Sequence, residues 1–389
     1  MVVETPTKRP LDGVRVIDLS NYVSGPFAGM MLADLGADVI KVEQPQGGDP
    51  TRRIGRRLEG GVSGLFFNTN RNKRSIALDL KAPGDVSVLL DLVDQSDIFL
   101  ENWRPGVADR LGLGTGVLHG RNPRLIHVAL SGYGLSGPLA DEGALDPLLQ
   151  GISGISWFNK HNDIPEGLRF YVADKVAAVY AVQSTLGALL LREHGQLDQR
   201  IDLNMLDAVS YFNFPDLFIS RTMVGEPDEG FDPEEIAGPK TMIRCRDAFI
   251  VVAPSTGAHV QRACTASGHP EWVEELRPLR DFRDLAPALM GRLESVTKDM
   301  STEDAITMFQ AADVPVGPVL DLDTHLSHPQ VVSNGIYAEA VHPVVGHHRF
   351  ARYPVRFVAE DPGSLPCPEL DEHHLEILGV ARGADRPPS

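Results

Sequence analysis

The sequence predicts an α/β fold in which an open parallel sheet forms a large domain and a smaller α+β domain is attached to it. The first observation is that short apolar segments alternate with helical segments through residues 1–212, which is typical of consecutive βαβ units. The second is a change of composition after Phe212, because residues 213–240 are rich in proline and acidic side chains. This stretch is predicted to be a linker.

The first three elements are predicted to form one βαβ unit. Val14–Leu19 is an apolar strand, Gly25 and Pro26 open a helix, and Ala37–Glu43 is a second strand. Such a unit binds nucleotides at the carboxyl ends of its strands, with Glu43 as a candidate ribose ligand of a dehydrogenase. However, Gly25 and Gly29 give GxxxG rather than GxGxxG, so the pyrophosphate turn is missing. Gly25 and Pro26 are equally well explained as helix punctuation.

The next strands also end in polar, basic or glycine residues. Strands are predicted at 75–80, 97–101 and 125–130, with a helix over 83–95 between the first two. The glycine-rich loop Ser131–Pro138 follows the last of these strands. Because the carboxyl ends of parallel strands share one edge, the pattern predicts an anionic ligand bound along that edge.

A long apolar helix is predicted to begin near Asp174. Apolar residues recur at three- and four-residue steps from Val176 to Leu190, and a strand follows the helix. One interpretation of Asp174 is an N-cap, whose carboxylate accepts a hydrogen bond from an unpaired helix amide. The other is a nucleophile that the helix N-terminus keeps ionised and directs into a cleft. The two interpretations are compatible.

The rest of the chain is predicted to form a small α+β domain at 241–319, a second linker at 320–336 and a segment at 337–389 that returns to the large domain. In the small domain, residues 241–245 and 248–253 are predicted to pair as a hairpin.

The C-terminal segment is predicted to contain strands at Tyr337–Pro343 and Tyr353–Val358, followed by a helix in LDEHHLEILG. Both ends of the chain, at 1–9 and in the tail ARGADRPPS, are predicted to be disordered.

Charge and cysteine content exclude several classes of partner. The chain has 36 Lys and Arg against 53 Asp and Glu, a net charge of −17, which disfavours nucleic acid and anionic membrane surfaces. Its three cysteines form no CxxC, so neither a disulfide framework nor a zinc site is expected, and no metal site is predicted. No apolar run has the length of a signal peptide core or a membrane span. These features favour a cytoplasmic protein.

Several separated motifs, in one order, resemble the family III CoA transferases, which include formyl-CoA and carnitine CoA transferases and the α-methylacyl-CoA racemases. The motifs are LDGVRVIDLSNYVSGPFAGMMLADLGADVIKVEQPQGGDPTR, NRNKRSIALDLK, ENWRPG, NPRLIHVALSGYGLSGP, VADK and GQLDQRIDLNMLDAV. The resemblance covers nearly the whole chain. It implies a Rossmann-like large domain made of both chain ends, and two protomers threaded through each other as an interlocked homodimer.

The resemblance also implies roles for individual residues. Asp174 falls on the family's catalytic aspartate. Apart from the resemblance, the loop amides at Gly132 and Gly134, or those of the PSTG loop at 254–257, are candidate donors to an oxyanion. The positions implied to contact coenzyme A are Val23, Ser24, Leu78, Lys81, Asn102, Trp103, Arg104 and Arg110. The arginine-rich loop Arg52–Arg57 is either a solvated loop or a ligand for the 3′-phosphate or a second carboxylate.

The implied activity is transfer of CoA from an acyl-CoA thioester to a carboxylic acid acceptor, through an aspartyl anhydride and an aspartyl-CoA thioester. Coenzyme A and acyl-CoA are then substrates, and no permanently bound cofactor is expected. Leu145 stands where the racemase branch has its catalytic histidine, which weakens an acyl-CoA racemase or epimerase alternative. A CoA-binding protein without turnover is a further alternative.

Overall fold

A computed structural model of the protein describes residues 9–225, 241–279, 282–355 and 365–381. The chain divides into two compact units: Met1–Leu217 with Ile336–Ser389 form the large unit, and Phe218–Gly335 form the small unit. The predicted disorder at the termini falls on residues outside the described ranges, apart from Arg9 and Ala381.

The large unit is built on a six-stranded parallel sheet with the spatial order β3-β2-β1-β4-β5-β6. The strands are β1 (Arg15–Asp18), β2 (Asp38–Glu43), β3 (Lys73–Ala77), β4 (Ile98–Glu101), β5 (Ile126–Ser131) and β6 (Arg200–Asn204). This is the doubly wound order, and it reverses between β1 and β4. Ligands of such sheets bind outside the carboxyl ends of the strands at this point. The α/β fold class with an open parallel sheet is therefore confirmed.

Helices cover both faces of this sheet. They are α1 (Ser24–Asp34), α2 (Gly64–Thr69), α3 (Pro83–Val93), α4 (Val107–Arg110), α5 (Thr115–Arg121), α6 (Asp146–Ile152), α7 (Ile155–Phe158), α8 (Val172–Glu193) and α9 (Met205–Leu217). Alternate strand residues enter different cores. Val16 and Ile98 pack with α1 and α8, whereas Ile17 and Phe99 pack with α3 and α5. Burial on both faces explains why apolar residues follow one another without alternation in the central strand β4.

The small unit has its own antiparallel sheet and core. Its elements are β7 (Met242–Arg244), β8 (Phe249–Val252), α10 (Gly257–Ala266), α11 (Trp272–Leu276), α12 (Phe282–Thr297), α13 (Thr302–Ala311), β9 (Val316–Pro318), α14 (Leu322–Ser327) and α15 (Pro329–Asn334). The predicted hairpin is confirmed, because β7 pairs with β8 in antiparallel fashion, with Ile243 opposite Ile250. Cys264, Leu293 and Phe309 lie in the core beneath this sheet.

The chain then returns to the large unit. β10 (Tyr337–His342) pairs with β11 (Gly346–Ala351) as a two-stranded ribbon, and α16 (His374–Ala381) follows. Ile377 of α16 packs in the same core as α3, so the closing helix covers the large sheet. Among the described residues, no helix is both long and apolar enough to cross a membrane.

Two strand positions differ from the prediction. β3 spans Lys73–Ala77 rather than 75–80, because Lys73 is buried inside the sheet and paired with Asp18 although its charge suggested a loop. The second C-terminal strand is β11 rather than 353–358, of which residues 356–358 lie outside the described ranges. The alternation of apolar and polar residues that predicts a strand is absent from β11, because neither face of this strand is fully buried and it carries histidine and arginine side chains.

Candidate active site

A cleft of about 460 Å³ opens at the carboxyl ends of β1, β4 and β5, where the strand order reverses. We call it the aspartate cleft. Its lining comes from the loops after these strands, the segment before α6, and the first residues of α1, α8 and α9. The residues that line it include Asn21, Tyr22, Ser24, Asn102, Trp103, Arg104, Gly132, Glu142, Leu145 and Asp174.

Asp174 is the third residue of α8 and is 8% exposed. The N-cap position of that helix is occupied by Tyr171, so the N-cap interpretation of Asp174 is wrong. An N-cap carboxylate would fold back onto the helix amides, whereas a residue in the first turn can direct its carboxylate away from the helix axis. Asp174 lines the cleft and retains the favourable position of an acid near a helix N-terminus.

The environment of Asp174 favours its protonated form. Burial and the neighbouring Asp146 carboxylate raise the pKa of Asp174 to about 7. The hydroxyl and backbone N–H of Ser24 and the charge of Lys175 act in the opposite direction. A carboxylate that is desolvated in this way is a stronger nucleophile when ionised, and its ionisation falls within the neutral pH range.

Replacing Asp174 by asparagine is therefore expected to stabilise the protein at neutral and alkaline pH. The raised pKa means that stability contributed by the protonated group is complete below about pH 4 and is lost as the pH rises to about 7. Urea unfolding of both proteins at about pH 5 and about pH 8 should show the advantage of the variant growing by about 2.5 kcal/mol. An advantage that is constant with pH would contradict the unusual ionisation of Asp174.

Ser24 reaches the cleft because the loop between β1 and α1 rests on buried charges, whereas Val23 is buried and lines neither the cleft nor the cavity next to it. The Nζ of Lys73 donates to Asp18 Oδ2 at 2.8 Å, to the Pro26 carbonyl at 2.7 Å and to Asn70 Oδ1 at 2.8 Å. A Cβ on Gly29 would lie 2.8 Å from Asp18 Oδ2, so α1 can pack on this ion pair only with glycine there. The GxxxG pattern thus serves helix packing.

A second buried pair holds the other side of this loop. The Nζ of Lys41 lies 3.2 Å from Asp49 Oδ2 and donates to the Ser20 carbonyl at 2.8 Å. Tyr22 has a φ of 65°, which is unusual for a side chain of this size. Its N–H donates to Asp49 Oδ1 at 3.3 Å, so the buried charges support a strained residue that lines the cleft.

Asn102 ties two loops of the cleft together. Its Oδ1 accepts the N–H of Asn21 at 2.8 Å, and its Nδ2 donates to the Asn21 carbonyl at 2.7 Å. Both ends of the amide side chain are therefore bonded to the loop after β1. Asn102 lines the cleft, but its observed hydrogen bonds position backbone.

A neighbouring cavity of about 400 Å³ contains Leu78 and Lys81, which follow β3. Asn21, Tyr22 and Trp103 line both this cavity and the aspartate cleft, so the two adjoin along the edge of the sheet. Leu78 is buried, and Lys81 is exposed at the rim. Trp103 lies between the cavities with its indole half-buried.

The remaining predicted residues are distributed around the aspartate cleft. Arg104 is exposed and lines it, whereas Arg110 is exposed at the end of α4 and lines neither of these two cavities. Gly132 lines the cleft. The N–H of Gly134 donates to Ser131 Oγ at 3.2 Å, and the φ of this glycine is 98°.

The sequence analysis did not identify some residues near the site and gave others a different role. Asp146 contacts the first turn of α8 and Gln150 the segment that leads into it, and the DPLLQ segment offered only an Asp and a Gln four residues apart as a signal. Arg52 pairs with Glu43 at 2.6 Å and lies 3.8 Å from the centre of the Phe66 ring. Glu43 lines the cavity that contains Leu78, but both of its carboxylate oxygens are already bonded, Oε1 to Arg52 and Ser75 and Oε2 to Arg52 and the N–H of Asp49, which weakens the dehydrogenase interpretation.

Comparison with known proteins identifies the family to which this chain belongs. The model of CoA-transferase family III matches residues 11–374. The chain belongs to this family. The family and the transferase class predicted from the sequence are confirmed.

Relatives of this family III member match it over nearly their whole length. It is 29% identical to succinyl-CoA:glutarate CoA-transferase of Homo sapiens, with 97% of this chain and 87% of the relative covered. It is 32% identical to acetyl-CoA:oxalate CoA-transferase of Acetobacter aceti, with 96% of each chain covered. The crystal structure of a CaiB/BaiF family protein from Brucella suis superimposes with a TM-score of 0.82 at 28% identity, covering 96% of this chain and 100% of that one.

Proposed function

We propose that this protein transfers CoA from an acyl-CoA thioester to a free carboxylic acid, with Asp174 as the covalent nucleophile. The observation that carries the proposal is the buried Asp174 carboxylate at the helix N-terminus, facing a cleft at the switch point of the sheet. Family membership supports the same chemistry.

The reaction proceeds by exchange of acyl bonds at this carboxylate. An oxygen of Asp174 attacks the donor thioester carbonyl, so that a C–O bond forms, the C–S bond breaks and CoA leaves as a thiolate. The thiolate then attacks the aspartyl carbonyl of the mixed anhydride and releases the donor acid. The acceptor carboxylate attacks the aspartyl-CoA thioester and displaces the thiolate. The thiolate finally attacks the acceptor carbonyl and frees Asp174.

The two adjoining cavities suggest how acyl-CoA binds. The nucleotide end is assigned to the cavity with Leu78 and Lys81, and the thioester to the aspartate cleft. Trp103, between them, offers an aromatic face for the adenine or the pantetheine chain. Val23, Ser24, Asn102, Arg104 and Arg110 complete the proposed CoA contacts, with the arginines directed at phosphate.

Of the two oxyanion candidates in the loop after β5, Gly132 has the better placed backbone amide. It lines the cleft with Asp174, whereas the N–H of Gly134 already donates to Ser131. A Cβ on Gly132 would lie 2.0 Å from the Cβ of Ala144, so the loop can take this conformation only with glycine there. Gly134 would contribute only after Ser131 releases its N–H.

A racemase is less well supported by the cleft. Leu145, which stands at the histidine position of the racemase branch, lines the same cleft as Asp174. A leucine side chain cannot accept or donate the second proton that racemisation requires.

We further propose, from the family resemblance, that the protein acts as an interlocked homodimer in the cytoplasm.

The proposed function is tested by trapping the acyl-enzyme. The protein is incubated with succinyl-CoA or acetyl-CoA and with glutarate or oxalate, the acids named for the relatives, and is then quenched with hydroxylamine. Peptide mass spectrometry should find a donor-dependent hydroxamate at Asp174. Exchange of the α-proton in deuterated water without any hydroxamate would instead favour a racemase, and CoA binding with neither would favour a binding protein.

Replacing Lys81 by glutamine tests the proposed CoA cavity. Loss of one exposed charge-assisted contact to phosphate is expected to raise the Kd for CoA by about fivefold to tenfold, and the effect should shrink at high salt. Isothermal titration calorimetry measures this change. Arg124→Gln, an exposed cation before β5 at the opposite end of the sheet, is the matched control. An equal loss in both variants would remove Lys81 from the site.

A further inference from the structure

Asp146 occupies an unusual position beside the proposed nucleophile. It is the first residue of α6 and is 2% exposed. Its Oδ2 accepts the backbone N–H of Asp174 at 3.0 Å. Within the described residues, the N-cap residue Tyr171 makes no capping hydrogen bond through its side chain. Asp146 therefore caps α8 from another helix, and its charge is favourable at this helix N-terminus.

Gln150 fixes the Asp146 carboxylate. Its Nε2 donates to Asp146 Oδ1 at 2.5 Å and lies 3.3 Å from each of the Leu168 and Phe170 carbonyls, while its Oε1 accepts the N–H of Leu168 at 2.7 Å. Gln150 is itself buried. One side chain thus joins α6 to the segment that leads into α8, so Asp146 and the first turn of α8 are held as one unit.

We propose that Asp146 is a positioning residue for the reaction, which orients Asp174 through the backbone of α8 and places a second buried carboxylate beside it. This inference rests on the proposed function of Asp174. It assigns no covalent step to Asp146, because Asp146 acts only through Asp174.

The ionisation of Asp174 depends on the groups that face its carboxylate. Asp146 on α6 disfavours a second negative charge, as expected for two carboxylates in one desolvated site. The hydroxyl and backbone N–H of Ser24 on α1 favour the ionised form of the carboxylate and lower its pKa, and Lys175 on α8 is exposed to solvent. The remaining titratable residues of the cleft are Tyr22, Arg104 and Glu142, and all three are exposed. Asp146 is buried, and of the neighbouring charges it has the largest effect on the pKa of Asp174.

The test compares the pH dependence of acyl-enzyme formation in wild type, Asp146→Asn and Asp141→Asn. Asparagine keeps an oxygen that can accept the Asp174 N–H but removes the charge. The midpoint of the rate against pH is expected to fall by about one unit or more in Asp146→Asn. Asp141→Asn removes an exposed carboxylate five residues away and should leave the midpoint unchanged. If Asp146→Asn does not fold, Asp146→Ser supplies a neutral acceptor in its place.

An unchanged midpoint with a lower rate would overturn the inference, because a merely structural residue changes rate alone. An equal shift in Asp141→Asn would also overturn it. If no donor acylates Asp174, the proposed function fails, and urea unfolding then tests the inference without turnover. The loss of stability between about pH 5 and about pH 8 should be smaller in Asp146→Asn than in wild type. An equal loss of stability in the two proteins contradicts the coupling of the carboxylates.

Discussion

Replacing Asp174 by asparagine is expected to lower the rate of CoA transfer by about three to four orders of magnitude while leaving the Kd for CoA within about twofold. An amide keeps the size of the side chain and an oxygen that can accept from Ser24, but it is a poor nucleophile. In the proposed scheme, the nucleotide end of CoA binds in the cavity that contains Leu78 and Lys81, and Asp174 does not line that cavity. Transfer is measured by the appearance of acceptor acyl-CoA, and binding by calorimetry.

The control for this variant is Asp141→Asn, in which the same chemical change is made at an exposed carboxylate. Mass spectrometry must exclude deamidation of the new asparagine, because a small deamidated fraction would contain Asp174 again and would account for residual activity. A variant that transfers CoA at the rate of wild type and remains amidated would remove Asp174 from the mechanism. Loss of CoA affinity in proportion to the rate would show that Asp174 acts in binding.

Much of the site could be predicted from sequence because its signals are local. The helix beginning near Asp174 was visible from apolar periodicity, and the polar loops after Leu19 and Glu101 were visible as strand ends. The parallel sheet then brings those loops to one edge. The resemblance added the ligand, which periodicity alone does not supply.

The remainder depends on contacts between distant segments. Asp146 precedes Asp174 by 28 residues and meets it only through the packing of α6 on α8. Lys73 is 55 residues from Asp18, so a charged residue at the start of β3 could not be recognised as buried. Sequence patterns predict burial of apolar residues, whereas a buried charge is recognised only once its partner is known.

The buried charges connect the fold to the proposed chemistry. Burial opposes ionisation of Asp18, but Lys73 and Lys41 hold its pKa below the usual range. Asp18 in turn accepts hydrogen bonds from the backbone and hydroxyl of Ser20, immediately before the loop that carries Ser24. The position of Ser24 against Asp174 therefore depends on an ion pair that lies beneath the cleft and does not line it.

Replacing Lys73 by methionine is accordingly expected to destabilise the protein by about 3–5 kcal/mol, because it leaves Asp18 buried without its closest cation. Both side chains are fully buried, and the ammonium makes three hydrogen bonds that methionine cannot replace. Urea unfolding at neutral pH measures the loss. Arg121→Met removes an exposed cation from its pairs with Asp91 and Asp94 and should cost less than about 1 kcal/mol.

The double variant Asp18→Asn with Lys73→Met separates the charge from the packing. Removal of the uncompensated carboxylate should recover part of the stability lost in Lys73→Met. The transfer rate should remain low in the double variant, since the hydrogen bonds from Lys73 to Pro26 and Asn70 that support the α1 loop are still absent. If the double variant regained both stability and full activity, the ion pair would contribute charge balance alone, and the loop that carries Ser24 would be held by other contacts.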